Sequence, residues 1–211
     1  MLRTVWMMLW GKNLELISKA EAHQTRTVQT QAELKEYLSQ VSDENLSEED
    51  VDWKLAILDY SQELTNIGIL IRRDLCDAVL RQIRSSQELA AEDKDELEGL
   101  YARTLERIER ATLIMMARDP KLAEQFIREK EEINTRCRKS RKARLERPIA
   151  TQNVLANVFD MIDCLRRINS ELTSLAYTLA RDRLRIDQAN GHGSYIEGEE
   201  VMDRYERERG A

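Results

Sequence analysis

Two pairs of carboxylates stand one helical turn apart in this chain: Asp59 with Glu63, and Asp160 with Asp163. At spacings of four and three residues, both members of a pair share one helix face. There they could gather a hard cation or divide acid and base roles. Charged residues make up 34% of the chain, so the plainer reading is a solvated helix face with charged neighbours, and we adopt it. His23 and His192 are isolated, without the Ser, Cys or Asp arrangement that nucleophilic catalysis needs, and read as surface residues. Cys76, Cys137 and Cys164 form no Cys-x-x-Cys, which removes zinc knuckles and redox motifs and fits a reducing compartment. Cys164 reads as a small core residue. Gly191-His192-Gly193 lacks the Lys-Ser/Thr and the helix of a phosphate loop. We therefore expect no enzyme, no cofactor and no metal centre.

The remaining chemistry is electrostatic. Residues 130–147 carry Lys130, Arg136, Arg138, Lys139, Arg141, Lys142, Arg144 and Arg147 against Glu131, Glu132 and Glu146. Positive charge this dense could meet phosphate, an acidic partner or acidic lipid. The plain alternative is a solvated helix face paired with acidic stretches elsewhere in the chain. Arg136, Arg138, Lys139, Arg141, Lys142 and Arg144 are the candidate anion- or partner-binding set. No aromatic residue interleaves these cations after Phe126, and the net charge is −6, so nucleic acid is not an expected partner.

Long helices must position these groups. The chain has 211 residues, of which 42% are apolar and 5% aromatic, with only two prolines. Four of the seven glycines fall in the last 21 residues, leaving too few turn residues for a β-sandwich or an α/β fold. Capping signals mark six segments, at about 1–10, 13–41, 47–83, an acidic elbow (88–98) leading into a helix to 118, then 120–147 and 148–186. Ser47 with Asp50 resembles a capping box, and Asp119-Pro120 is a strong restart. Residues 187–211 read as a mobile acidic tail. In the last segment Leu155, Val158, Ile162, Leu165, Asn169, Leu172, Ala176 and Leu179 alternate steps of three and four, the stripe of a bundle helix. Residues 24–31 hold only Val28 as a large apolar side chain and leave the second segment little to bury. The longest early apolar run, residues 5–10, is far short of the ~20 residues of a membrane span, so a soluble chain is expected.

The segments repeat. Trp6-Met7-Met8-Leu9 matches Ile114-Met115-Met116-Ala117 at an offset of 108, which also sets Leu14 on Leu122 and Glu21 on Glu129. At an offset of 101, Asp59 falls on Asp160, Leu64 on Leu165, Gly68 on Asn169 and Ile71 on Leu172. Gly68 and Asn169 are expected to permit close helix packing. The pattern predicts an all-α protein of two tandem three-helix units, 1–84 and 92–186, packed as an elongated bundle. The first segment is shorter than its counterpart before 118, which predicts that the chain is the C-terminal part of a longer polypeptide.

Leu64-Thr65-Asn66-Ile67-Gly68 and Leu165-Arg166-Arg167-Ile168-Asn169, with Lys35-Glu36-Tyr37-Leu38, Arg118-Asp119-Pro120 and Glu129-Lys130-Glu131, resemble the PhoU-like family of phosphate-uptake regulators. The likeness is greatest to the cytoplasmic C-terminal domain of bacterial sodium/phosphate cotransporters. It implies a regulatory domain that binds a membrane phosphate transporter, in cis as a missing N-terminal part or in trans, and that can also self-associate. It also implies a cytoplasmic place, free or tethered to the inner face of the cell membrane. The family's metal-binding carboxylates would fall on Thr65, Ile69, Arg166 and Ser170, so the departure predicts that the metal clusters are absent. The alternative is a stand-alone helical scaffold or adaptor with no link to phosphate.

Overall fold

The computed structural model describes residues 1–85, 87–145 and 152–189, and among them there is no strand. Among the described residues eight α-helices follow in order: α1 (Leu2–Gly11), α2 (Leu16–Gln40), α3 (Glu48–Ile69), α4 (Cys76–Arg84), α5 (Ala91–Ala117), α6 (Pro120–Arg128), α7 (Lys130–Leu145) and α8 (Gln152–Ala189). The expected caps are present. Ser47 Oγ accepts from Asp50 N at 3.1 Å and donates to the Asp50 carboxylate at 2.7 Å. Asp119 Oδ1 accepts from the backbone N–H groups of Lys121 and Leu122, and Pro120 occupies the first helical position, where no donor is lost.

Four boundaries differ from the sequence expectation. The third segment is continuous but contains a π-turn, Leu70–Leu75, between α3 and α4. The fifth is divided at Glu129, with no glycine or proline to mark the break. The acidic elbow is mostly the first turns of α5, where Glu92 and Asp93 complement the helix N-terminus. Gly11 closes α1 as its last helical residue, while the left-handed conformation falls on Lys12, at φ 48. Residues 187–189, the start of the expected acidic tail, are the end of α8, and residues 190–211 and the Pro148 restart lie outside the described residues.

α8 is the axis of the bundle and packs against α3, the π-turn, α4, α5, α6 and α7. Val158, Ile162, Leu165, Asn169, Leu172 and Ala176 are all buried, as the 3-4 stripe requires, while the side chains of Leu155 and Leu179 lie outside those described. α1 packs on α2 and α4, and Trp6 stacks on Tyr101 of α5 at 4.2 Å between ring centroids. α2 buries only Ala20 and Leu38, in keeping with its polar run. Gly68 sits against the Met1 side chain, but Asn169 does not serve as a spacer. Its amide donates to Thr104 Oγ1 at 2.7 Å and to the Leu165 carbonyl at 2.8 Å, a buried polar tie between α8 and α5. Among the described residues no helix is long and apolar enough to cross a membrane.

Lys12 and Arg118 (φ 50) are the two non-glycine residues with positive φ among those described, each ending a helix. The left-handed conformation strains a side chain bearing Cβ by about 1 kcal/mol. Lys12→Gly is therefore expected to raise stability by about 0.5–1 kcal/mol. Arg118→Gly should gain nothing, because the Arg118 guanidinium lies 4.0 Å from the Trp53 ring centroid and that contact is lost. Urea unfolding of both variants checks the contrast.

Candidate functional site

The basic helix α7 turns Ile133, Cys137, Ser140 and Arg144 inward, at spacings of four, three and four. That stripe fixes where the six candidate cations point. Arg144 is 4% exposed and donates from Nε to Asp93, itself 2% exposed, at 2.8 Å; it also donates to the Ser140 carbonyl and hydroxyl. A guanidinium so enclosed ties α7 to the start of α5 and is not available to a partner. Arg136 leans toward α5, where Nε is 3.3 Å from Glu96, and its terminal nitrogen fills the space beside Gly99. Arg138 pairs with Glu131, both well exposed, an arrangement that holds the two side chains only weakly. Lys139, Arg141 and Lys142 are exposed and meet no carboxylate among the described residues. The structure thus sorts the set into one buried strut, two paired arginines and three cations open to a partner.

The two flanks of α7 differ. On the α5 side, Glu96, Glu131 and Glu132 line a shallow depression with Arg136 and Lys139. On the α8 side runs a groove of about 370 Å³, lined by Arg138, Arg141 and Arg166 with Glu131 and Asp163. Arg166, which stands where the resemblance placed a metal carboxylate, is therefore a neighbour of the basic helix. Its guanidinium pairs with Asp163 at 3.0 Å. Of the other three such positions, Thr65 is buried with its hydroxyl on the Ser61 carbonyl, Ile69 is exposed, and Ser170 accepts from Ser174 at 3.4 Å. Among the described residues no three His, Cys, Asp or Glu side chains are grouped so that they could hold a metal ion. Asp59 is exposed, Glu63 accepts from Asn66 at 3.2 Å, and Asp160 meets Arg81 across the bundle at 2.5 Å. Of the two pairs, Asp160 and Asp163 thus each face an arginine. His23 is half-buried, and burial holds its imidazole below the ordinary range, with Lys19 and Arg26 adding to the effect. His192 lies outside the described residues.

A second cluster was not singled out from the sequence. Arg107 of α5 is fully buried, with its guanidinium 3.7 Å from the centroid of the Phe126 ring. It donates to Glu129 at 2.9 Å, to the Phe126 carbonyl at 3.2 Å and to Thr173 Oγ1 at 3.0 Å. Arg110 holds the same glutamate at 2.8 Å. Burial pulls Arg107 down to about 10, against the opposing pull of Glu129. The Phe126 carbonyl, which continued helix would bond to an N–H four residues on, is engaged by Arg107. The break between α6 and α7 at Glu129 is thus built by tertiary contacts. A visible signal was the Arg107-x-x-Arg110 pair, one helical turn apart on α5.

All three cysteines are free and buried. Cys164 donates to the Leu70 carbonyl at the π-turn, and burial pushes its thiol up to about 12; Cys137 is likewise pushed up to about 11. Because the folded state holds these protons after the unfolded chain has released them, stability is intact below pH about 9 and falls as pH rises, by about 1.4 kcal/mol per pH unit for each thiol, up to about 11 for Cys137 and about 12 for Cys164. Cys164→Ala is expected to flatten this decline by about one proton. Urea midpoints at pH 8 to 10.5 test it, and parallel slopes for the two proteins would contradict the assignment.

Compared with known proteins, the chain matches no family model, no curated protein and no solved structure.

Proposed function

We propose that the chain is a non-catalytic regulatory and interaction module of phosphate transport. In this reading it is a PhoU-like cytoplasmic domain acting on a sodium-dependent phosphate transporter, joined to it or binding it in trans. The observation that carries the binding role is the exposed trio Lys139, Arg141 and Lys142, held outward by a helix whose opposite face is locked into the core. Cations without internal partners lose least on meeting an acidic surface, since no existing pair has to break.

Several correspondences support two tandem three-helix units. α1, α2 and α3–α4 follow the same order as α5, α6–α7 and α8. The two left-handed basic residues, Lys12 and Arg118, both follow the first helix of a unit. The matched glutamates Glu21 and Glu129 each grip an arginine, Arg72 in one case and Arg107 with Arg110 in the other.

The alternative, a helical adaptor unrelated to phosphate, is favoured by the carboxylates missing at positions 65, 69, 166 and 170. Cross-linking through the amines of Lys139 and Lys142 in living cells separates the two. The phosphate reading expects adducts with a phosphate transporter, and a deletion that alters phosphate uptake. Adducts with other proteins only, together with unchanged uptake in the deletion, would overturn it and leave the adaptor.

A further inference from the structure

The groove between α7 and α8 sets Arg141 of the exposed trio among residues that the docking role does not use. Its floor is Ile162 and Cys137, each 4% exposed, and the neutral thiol behaves there as apolar surface. Phe159 forms one wall, with the Arg141 guanidinium carbon 6.0 Å from its ring centroid. That distance is the outer edge of a cation–π contact, so the guanidinium is only lightly held.

The charge count around this groove is specific. Arg138 already faces Glu131 and Arg166 already faces Asp163, which leaves Arg141 as the one guanidinium of the groove without a carboxylate among the described residues. About two turns earlier on α7 and lining the same groove, the half-buried Asn134 side-chain amide takes no hydrogen bond from those residues and offers N–H donors. One uncompensated positive charge, an unengaged amide in the same groove, an aromatic wall and an apolar floor define a ligand with one negative charge and a flat apolar body. At about 370 Å³ the space is at the small end for ligand sites and suits a single ring.

We propose that this groove binds a single-ring aromatic monoanion, its carboxylate on Arg141 and Asn134 and its ring against Phe159. A dianion such as phosphate would need a second free cation, which the groove supplies only by breaking one of its two internal pairs. The site stands or falls independently of the phosphate reading.

The test titrates benzoate, benzamide and acetate into the full chain and follows backbone and side-chain amide resonances by NMR. Benzoate is expected to bind with a Kd on the order of 1 mM or tighter and to move the resonances of Asn134, Arg141 and Phe159. Benzamide lacks the charge and acetate lacks the ring, so each should bind at least about tenfold more weakly. Arg141→Gln and Asn134→Ala, at positions outside the core, should weaken benzoate by about tenfold and a few-fold respectively while leaving the thermal midpoint unchanged. Equal binding of benzoate by Arg141→Gln, equal binding of acetate, or no benzoate-induced shift in the groove would each overturn the proposal.

Discussion

Arg107→Ala is expected to destabilise the protein by about 4 kcal/mol and lower its thermal midpoint by about 10 °C. Arg107 is fully buried against Phe126, so truncation leaves a cavity at the junction of α5, α6 and α8. The charge itself is a lesser part of the loss. Glu129 keeps Arg110 at 2.8 Å, Thr173 keeps its bond to the Asn169 carbonyl, and Arg107 Nε is already buried without a hydrogen-bond partner. Arg107→Met restores most of the volume and removes a guanidinium that burial disfavours, so it should remain within about 1 kcal/mol of the wild type. Chemical denaturation of the two variants decides the matter. A methionine variant as unstable as the alanine one would show that the charge contacts, rather than the volume, hold the elbow.

Asp93→Asn should cost about 3 kcal/mol, because Arg144 then carries an uncompensated charge at 4% exposure. The neutral pair Asp93→Asn with Arg144→Met is expected to recover most of that loss, giving a large coupling energy in the double-mutant cycle. The single Asp93→Asn variant should also raise amide hydrogen exchange at the end of α7, since the pair ties that end to α5. Additive losses across the cycle would mean that the pair is not the tie it resembles. The same comparison separates the structural arginine of α7 from those left for a partner.

How much of this was legible in the sequence follows from where each cause lies along the chain. Caps are local, so Ser47 with Asp50 and Asp119 with Pro120 announced α3 and α6 before any packing was known. The burial stripe of α8 was equally plain, because its buried residues recur at helical spacing. The π-turn was not, since Leu75 and Cys76 look like ordinary helix until α8 is beside them. The break at Glu129 likewise depends on an arginine 22 residues earlier in sequence. In the candidate site, charge density pointed to α7 but treated the six candidate cations alike. The inward series Ile133, Cys137, Ser140 and Arg144 could have marked Arg144 as buried, yet a charged residue closing a stripe reads as solvated by default. Arg166, considered only as a lost metal ligand, proved to be a neighbour of the same helix across the groove.

The most direct measurement of the central claim is phosphate uptake by cells whose only copy of the protein carries Arg138→Gln, Lys139→Gln, Arg141→Gln and Lys142→Gln together. These side chains point away from the core, so the purified variant should unfold at the wild-type temperature. The account predicts altered phosphate uptake with unaltered folding, whereas wild-type uptake in the quadruple variant would contradict it.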